Sequence, residues 1–136
     1  MTQQAAHPFL NDDHEALRDQ ARRFVAQHCL PNIDRWEREG QLPRALHRQA
    51  AEAGLLQIGF PEDCGGIPVP DLFFMMVLTE ELARAGSGGL IASLMSHGIA
   101  TPPVCAVGTA EQKARFAQPV LAGDKVAALA ITEPSG

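Results

Sequence analysis

The residues best suited to chemistry lie near the end of the chain, where the apolar segment Val126 to Ile131 runs into Thr132-Glu133-Pro134-Ser135-Gly136. Valine and isoleucine among alanines suit a strand buried on both faces. Pro134 and Gly136 then break it. A strand that ends in a Thr hydroxyl and free backbone N–H groups can present donors to a planar, electron-rich ligand. A second set, Ala92, Met95, Ser96 and Ile99, falls at a spacing that puts the four on roughly one face of a small-residue helix. Small side chains there let another helix approach closely or leave room for a ligand. The neighbouring His97 reads by default as a packed or surface residue. His7, His14, His28 and His47 have no mutual spacing that would hold a metal. Glu80 and Glu81 are adjacent, so on a helix they point about 100° apart. That excludes an acid/base pair and leaves one of them as a structural ion-pair partner.

Helices must position these groups. Asp12 or Asp13 is expected to cap the first, with Asp12-x-x-Glu15 at capping-box spacing. Leu17, Ala21, Phe24, Val25 and His28 then share one helical face, and Pro31 ends or bends the helix. A short helix is predicted over 33–38. Pro43 opens the next, with Leu46, Ala50 and Ala53 inside and Gly54 as its stop. Residues 55–70, rich in Gly and Pro but interleaved with Leu55, Leu56, Ile58 and Phe60, read as an ordered loop. A helix over 72–85, apolar nearly all round its first half, belongs at the centre of a bundle and stops at Gly86. Further helices are predicted through about Gly98, from about Pro103, and from a Thr109-x-x-Gln112 capping box to about Gln118, where Pro119 limits the last.

The chain has 136 residues, 46% of them hydrophobic, which is enough for one domain with a real core. Its net charge of −5 argues against a nucleic-acid or anionic-membrane surface. Three cysteines, Cys29, Cys64 and Cys105, without a Cys-x-x-Cys pair, make a disulfide scaffold or zinc site a poor reading and fit reduced thiols in a cytoplasm. Residues 1–8 lack the charge and apolar core of a signal peptide. No apolar run is expected to reach the ~20 residues of a membrane span. A lone terminal strand cannot satisfy its backbone groups, so the natural chain is expected to continue past Gly136.

Five patterns in order carry a family resemblance: Glu52-Ala53-Gly54-Leu55-Leu56 with Phe60-Pro61-Glu62-Asp63-Cys64-Gly65-Gly66; Glu80-Glu81-Leu82-Ala83-Arg84; Gly108-Thr109-Ala110-Glu111-Gln112-Lys113; Leu121-Ala122-Gly123-Asp124-Lys125; and Ala130-Ile131-Thr132-Glu133-Pro134-Ser135-Gly136. Together they resemble the acyl-CoA dehydrogenase family, with Ser96-His97-Gly98-Ile99 leaning to its long-chain members. Cys64 stands where relatives commonly carry Tyr, and Leu129 where they often carry an aromatic residue. The resemblance implies an all-α N-terminal bundle followed by the first strand of a β-domain. Its divisions would be a lead-in over 1–11, a helical domain over 12–123 and the start of the middle domain over 124–136. It also implies FAD, touched by Leu129, Ile131 and Thr132, and an acyl-CoA whose tail borders Ala92, Met95, Ser96 and Ile99. Electron-transfer flavoprotein is the implied electron acceptor, in a homotetrameric enzyme. The family's carboxylate base belongs to a later helical domain, so no catalytic residue is assigned here. The isolated chain is expected to be inert and to bind FAD weakly. Flavin monooxygenases and nitroalkane oxidases use the same fold, and a stand-alone helical interaction module is the non-enzymatic alternative.

Overall fold

The computed structural model describes residues 7–135. Of the expected lead-in, residues 1–6 lie outside that range, as does Gly136. Helix α1, Asp12–Phe24, is capped by Asn11, one residue before the expected position. Asn11, with extended backbone (φ −115°, ψ −177°), accepts from the Asp13 and His14 N–H groups, and the His14 ring accepts from the Asn11 N–H. Asp12 and Asp13 instead occupy the first turn, where their charge suits the positive end of the helix dipole. This corrects the Asp12-x-x-Glu15 reading: a capping side chain needs an extended backbone, and only Asn11 has it.

Leu17, Ala21, Phe24 and Val25 are buried as the periodicity predicts. The next inward residue is Cys29 rather than His28, because a wide π turn, Val25–Cys29, bonds Leu30 N–H to the Val25 carbonyl at 2.9 Å. Adding a residue to a turn moves the buried face on by one position. Helices α2, Ile33–Glu39, and α3, Ala45–Glu52, follow, and α4, Phe73–Ala83, lies along α1. Trp36, Leu46, Val77, Leu78 and Leu82 join the α1 face in the main core.

The ordered loop behaves as expected: Leu55, Leu56, Ile58 and Phe60 are all buried. Backbone hydrogen bonds tie Gly59 to Ile67 and Ile67 to Gln57, both at 2.9 Å. A Cβ on Gly66 would lie 2.4 Å from the Phe60 backbone, so only glycine fits that return. Helices α5, Gly88–Met95, α6, His97–Ala100, and α7, Pro102–Val107, form a broken rod. By length and composition alone the 20 residues of Gly88–Val107 are apolar enough for a membrane span. That overturns the expectation that no stretch would reach such a length. In this fold Leu90, Leu94, His97 and Cys105 are buried, anchoring the rod to the bundle.

The Thr109 capping box forms and opens α8, Ala110–Gln112. Pro119 does not end the helix beyond it. A second π turn, Lys113–Ala117, leads into α9, Gln118–Leu121, with the proline in its first turn. The Arg115 carbonyl, which a proline ring cannot satisfy, instead accepts from Lys125 Nζ at 3.4 Å. The Gln57 amide joins the ordered loop to α9 through the Leu121 carbonyl at 2.9 Å.

The terminal segment departs most from expectation. Residues 124–135 carry no strand, and the only β-bridge among the described residues is Ile58 with Ile67. A strand exists only through a neighbour's hydrogen bonds, and none of the described elements lies alongside. Val126, Leu129 and Ile131 are therefore 38%, 51% and 72% exposed rather than buried on both faces.

Candidate functional site

The site is built on the α5–α6 junction and the segment that crosses it. Ser87 caps α5, accepting from the Leu90 N–H at 3.0 Å, and itself donates to the Glu37 carboxylate. Leu90, Leu94 and His97 point inward. The expected set lies on the other side: Ala92 is exposed, Met95 and Ser96 are half-buried, and Ile99 is 63% exposed. The structure thus turns Ala92 and Ile99 outward, while Met95 packs partly against the main core and Ser96 lies under the terminal segment.

His97 is a structural pin. Its Nδ1 lies 2.8 Å from the Leu94 carbonyl and its Nε2 3.0 Å from the Leu56 carbonyl, and its ring stacks on Phe60. Burial holds its pKa below the ordinary histidine value, with the two carbonyls pulling the other way. A neutral ring has one N–H, so only one of the two contacts is then a hydrogen bond. His47 approaches from α3 with Nε2 3.2 Å from the Ser93 carbonyl, while its buried Nδ1 has no partner. Burial lowers its pKa too. His47 and His97 are both buried, at 6% and 5% exposure.

The terminal segment is fastened at three places. Asp124 is held by Arg48 at 2.7 Å and by Arg44 on its carbonyl at 3.3 Å. Lys125 reaches Arg115, and Ser96 Oγ donates to the Ala127 carbonyl at 2.9 Å. Beyond Ala127 every described residue is exposed, Leu129, Ile131 and Thr132 among them. Among the described residues none takes a hydrogen bond from the backbone N–H groups or the Thr132 hydroxyl of this stretch, which leaves them accessible to a planar acceptor.

Two features escaped sequence reading. A cleft of about 580 Å³ opens between the start of α4 and the far side of the rod, lined by Ile58, Phe60, Val69, Leu72, Met75 and Pro102 among others. None of the four expected tail-lining residues borders it. Cys64 and Cys105 meet in a small second core with Phe60, Ala117 and Leu121. Burial, with Cys64 alongside, pushes the Cys105 thiol up to about 12, and burial alone raises Cys29 to about 11. Such thiols stay protonated and unreactive. Spacing alone could not have paired cysteines 41 positions apart.

The buried charge lies where α1 packs on α4. Glu81 has no exposed side-chain surface and meets Arg18 at 3.2 Å, Arg22 at 3.1 Å and Arg84 at 2.9 Å. Burial works to raise its pKa, but the hydrogen bonds from Arg22 and Arg18 and the charges of Arg22 and Arg84 outweigh it and leave the carboxyl low. Glu80 takes the exposed role, paired only with Arg18 at 2.9 Å.

Residues 11–124 match the acyl-CoA dehydrogenase N-terminal domain family. The chain is 35% identical over 124 residues to the mitochondrial long-chain specific acyl-CoA dehydrogenase of Rattus norvegicus, covering 91% of this chain and 28% of that protein. It is 32% identical over 127 residues to the 3-(aryl)acrylate reductase of Clostridium sporogenes, covering 93% of this chain and 33% of that one. A solved Mycobacterium smegmatis protein, provisionally called an acyl-CoA dehydrogenase, superposes with a TM-score of 0.86 at 47% identity, over 93% of this chain and 33% of its own. The chain thus spans about a third of the length of these relatives.

Proposed function

The chain belongs to the acyl-CoA dehydrogenase N-terminal domain family, and from that premise we propose that the whole protein desaturates an acyl-CoA thioester between its α and β carbons with FAD as cofactor. The observation that supports this most is the join between a family-matching helical scaffold and an exposed, unpaired segment carrying Leu129, Ile131 and Thr132. When bound, FAD supplies a two-electron acceptor for the hydride that leaves the β carbon. The Thr132 hydroxyl and the Ile131 backbone would hold the flavin edge where negative charge builds up, with Leu129 against the ring. The helix positions Ala92, Met95, Ser96 and Ile99 would border the acyl tail, and the small Ala92 and Ser96 would leave room for a long one. The α proton needs a base that the family resemblance places outside these 136 residues.

Electron-transfer flavoprotein as acceptor, a homotetrameric assembly and a cytoplasmic location complete the proposal. The exposed Ile99 and Leu129 are surfaces that other segments or subunits would cover, and the free, buried cysteines fit a reducing compartment. Similarity to the C. sporogenes reductase favours one second reading, in which the same two-electron chemistry runs as reduction of an aryl acrylate. The test is anaerobic titration of the full-length, FAD-loaded protein with saturated acyl-CoAs of graded length. Bleaching of the flavin band supports dehydrogenation. An oxidised flavin unchanged by every thioester, with a reduced flavin reoxidised by an aryl acrylate, would favour the reductase.

A further inference from the structure

We propose that Ser96 is a positioning residue: its hydroxyl fastens Ala127, and so the segment that leads to Leu129, Ile131 and Thr132, onto the α5–α6 junction. This rests on the flavin-edge reading above and changes the part that Ser96 plays in it, from a wall of the acyl-tail space to an anchor for the cofactor-facing segment.

Four observations carry it. Ser96 occupies the break between α5 and α6, where its hydroxyl lies within reach of two carbonyls, Ser93 at 3.1 Å and Ala127 at 2.9 Å. A serine has one proton to give. The Ser93 carbonyl already lies 3.2 Å from His47 Nε2, whereas the Ala127 carbonyl has no strand neighbour. The long-range bond is therefore the one that satisfies an otherwise unpaired group. Next, Ala127 is the last described residue that is half-buried rather than exposed, so Ser96 is the final fastening point before the exposed stretch. From Ala127, five extended residues reach Thr132, a span of roughly 17 Å, and a small swing at the anchor displaces the donor at its end. Last, the contact is close. The space left between Ser96, His97, His47, Val126 and Ala127 is about 10 Å³, about the least that holds one water. His97 and His47 fix the helical side of this contact from behind, through Leu56 and Ser93.

The experiment compares Ser96→Ala and Ser96→Thr with the natural full-length protein by FAD titration of the apoprotein, steady-state kinetics across acyl-chain lengths, and amide hydrogen exchange of a peptide covering 124–130. Ser96→Ala is expected to weaken FAD binding and speed exchange in that peptide by about three- to tenfold, the range one neutral hydrogen bond spans. The preferred chain length should not change. Ser96→Thr, which keeps the hydroxyl, restores both. A shifted chain-length preference with FAD affinity and exchange unchanged overturns the proposal and returns Ser96 to the cavity wall. Equal defects in both variants overturn it too, since bulk rather than the hydroxyl would then matter. Should the natural protein bind no FAD, the functional reading fails, while the exchange comparison still decides whether Ser96 holds the segment.

Discussion

The α1–α4 pair and the terminal segment solve the same problem in opposite ways. Helix α4 of that pair and the segment Val126 to Ile131 are both apolar stretches. In α4, Val77 and Leu78 are fully enclosed and every backbone bond is local, so the helix needs from its neighbours only a surface to pack on. Val126 to Ile131 is equally apolar, yet its backbone bonds must come from another strand, and its side chains stay in solvent without one. A helix satisfies itself and then packs; a strand needs a partner before it is satisfied. The donors proposed to face the flavin sit on the second kind of element, which has no partner strand among the described residues.

This contrast can be broken from the scaffold side first. Leu78→Ala should lower stability by about 2–5 kcal/mol, because a fully buried leucine leaves a cavity; chemical denaturation measures it. Next comes Glu81→Gln, expected to cost about 2–3 kcal/mol. Removing one member of a buried ion cluster leaves its partners unpaired, but Arg22 and Arg84 are 51% and 59% exposed and can turn to water.

Acid sharpens the same point. Glu81 is held below its ordinary value of 4.5, so the unfolded state binds its proton first, and the stability it contributes is lost as pH falls through that region. His47 and His97 are held below 6.5, so stability should also decline from about pH 6.5 downwards. Urea midpoints at stepped pH should show both declines, with Glu81→Gln reducing only the more acidic one, to which Asp63 and Asp71, held low by Lys113 and His14, also contribute. A smaller effect, about 1 kcal/mol, is expected for Asn11→Ala, which removes the true cap of α1; Asp12→Ala should cost less, and the reverse order would sink the cap assignment. Smallest is Ile131→Ala, expected within about 0.5 kcal/mol in this chain because the side chain is 72% exposed. A large loss there would mean that the segment packs on the bundle after all.

Much of the scaffold was legible from local pattern. The Leu17–Ala21–Phe24 face, the Thr109–Gln112 box and the buried Leu55, Leu56, Ile58 and Phe60 of the loop all follow from spacing and turn chemistry, which act over a few residues. The two π turns were not legible, because inserting one residue into a turn leaves composition unchanged. The first exchanged Cys29 for His28 in the core, and the second let a helix run on through Pro119. Of the candidate site, sequence placed Ala92, Met95, Ser96 and Ile99 on one face. It could not say that only Ala92 and Ile99 look outward while Met95 and Ser96 turn toward neighbours, since such positions read alike in a helical pattern.

By itself, then, the sequence determined the elements that close their own hydrogen bonds, together with the family to which they belong, because those depend on near neighbours and on ordered motifs. Only the tertiary structure decided which of two adjacent glutamates is buried among three arginines, that His97 is a pin between two carbonyls, and that Ser96 reaches Ala127 across 31 positions. Each of these joins residues far apart in the chain. Their energy comes from desolvation and hydrogen-bond geometry at a meeting point that exists only after the helices have packed.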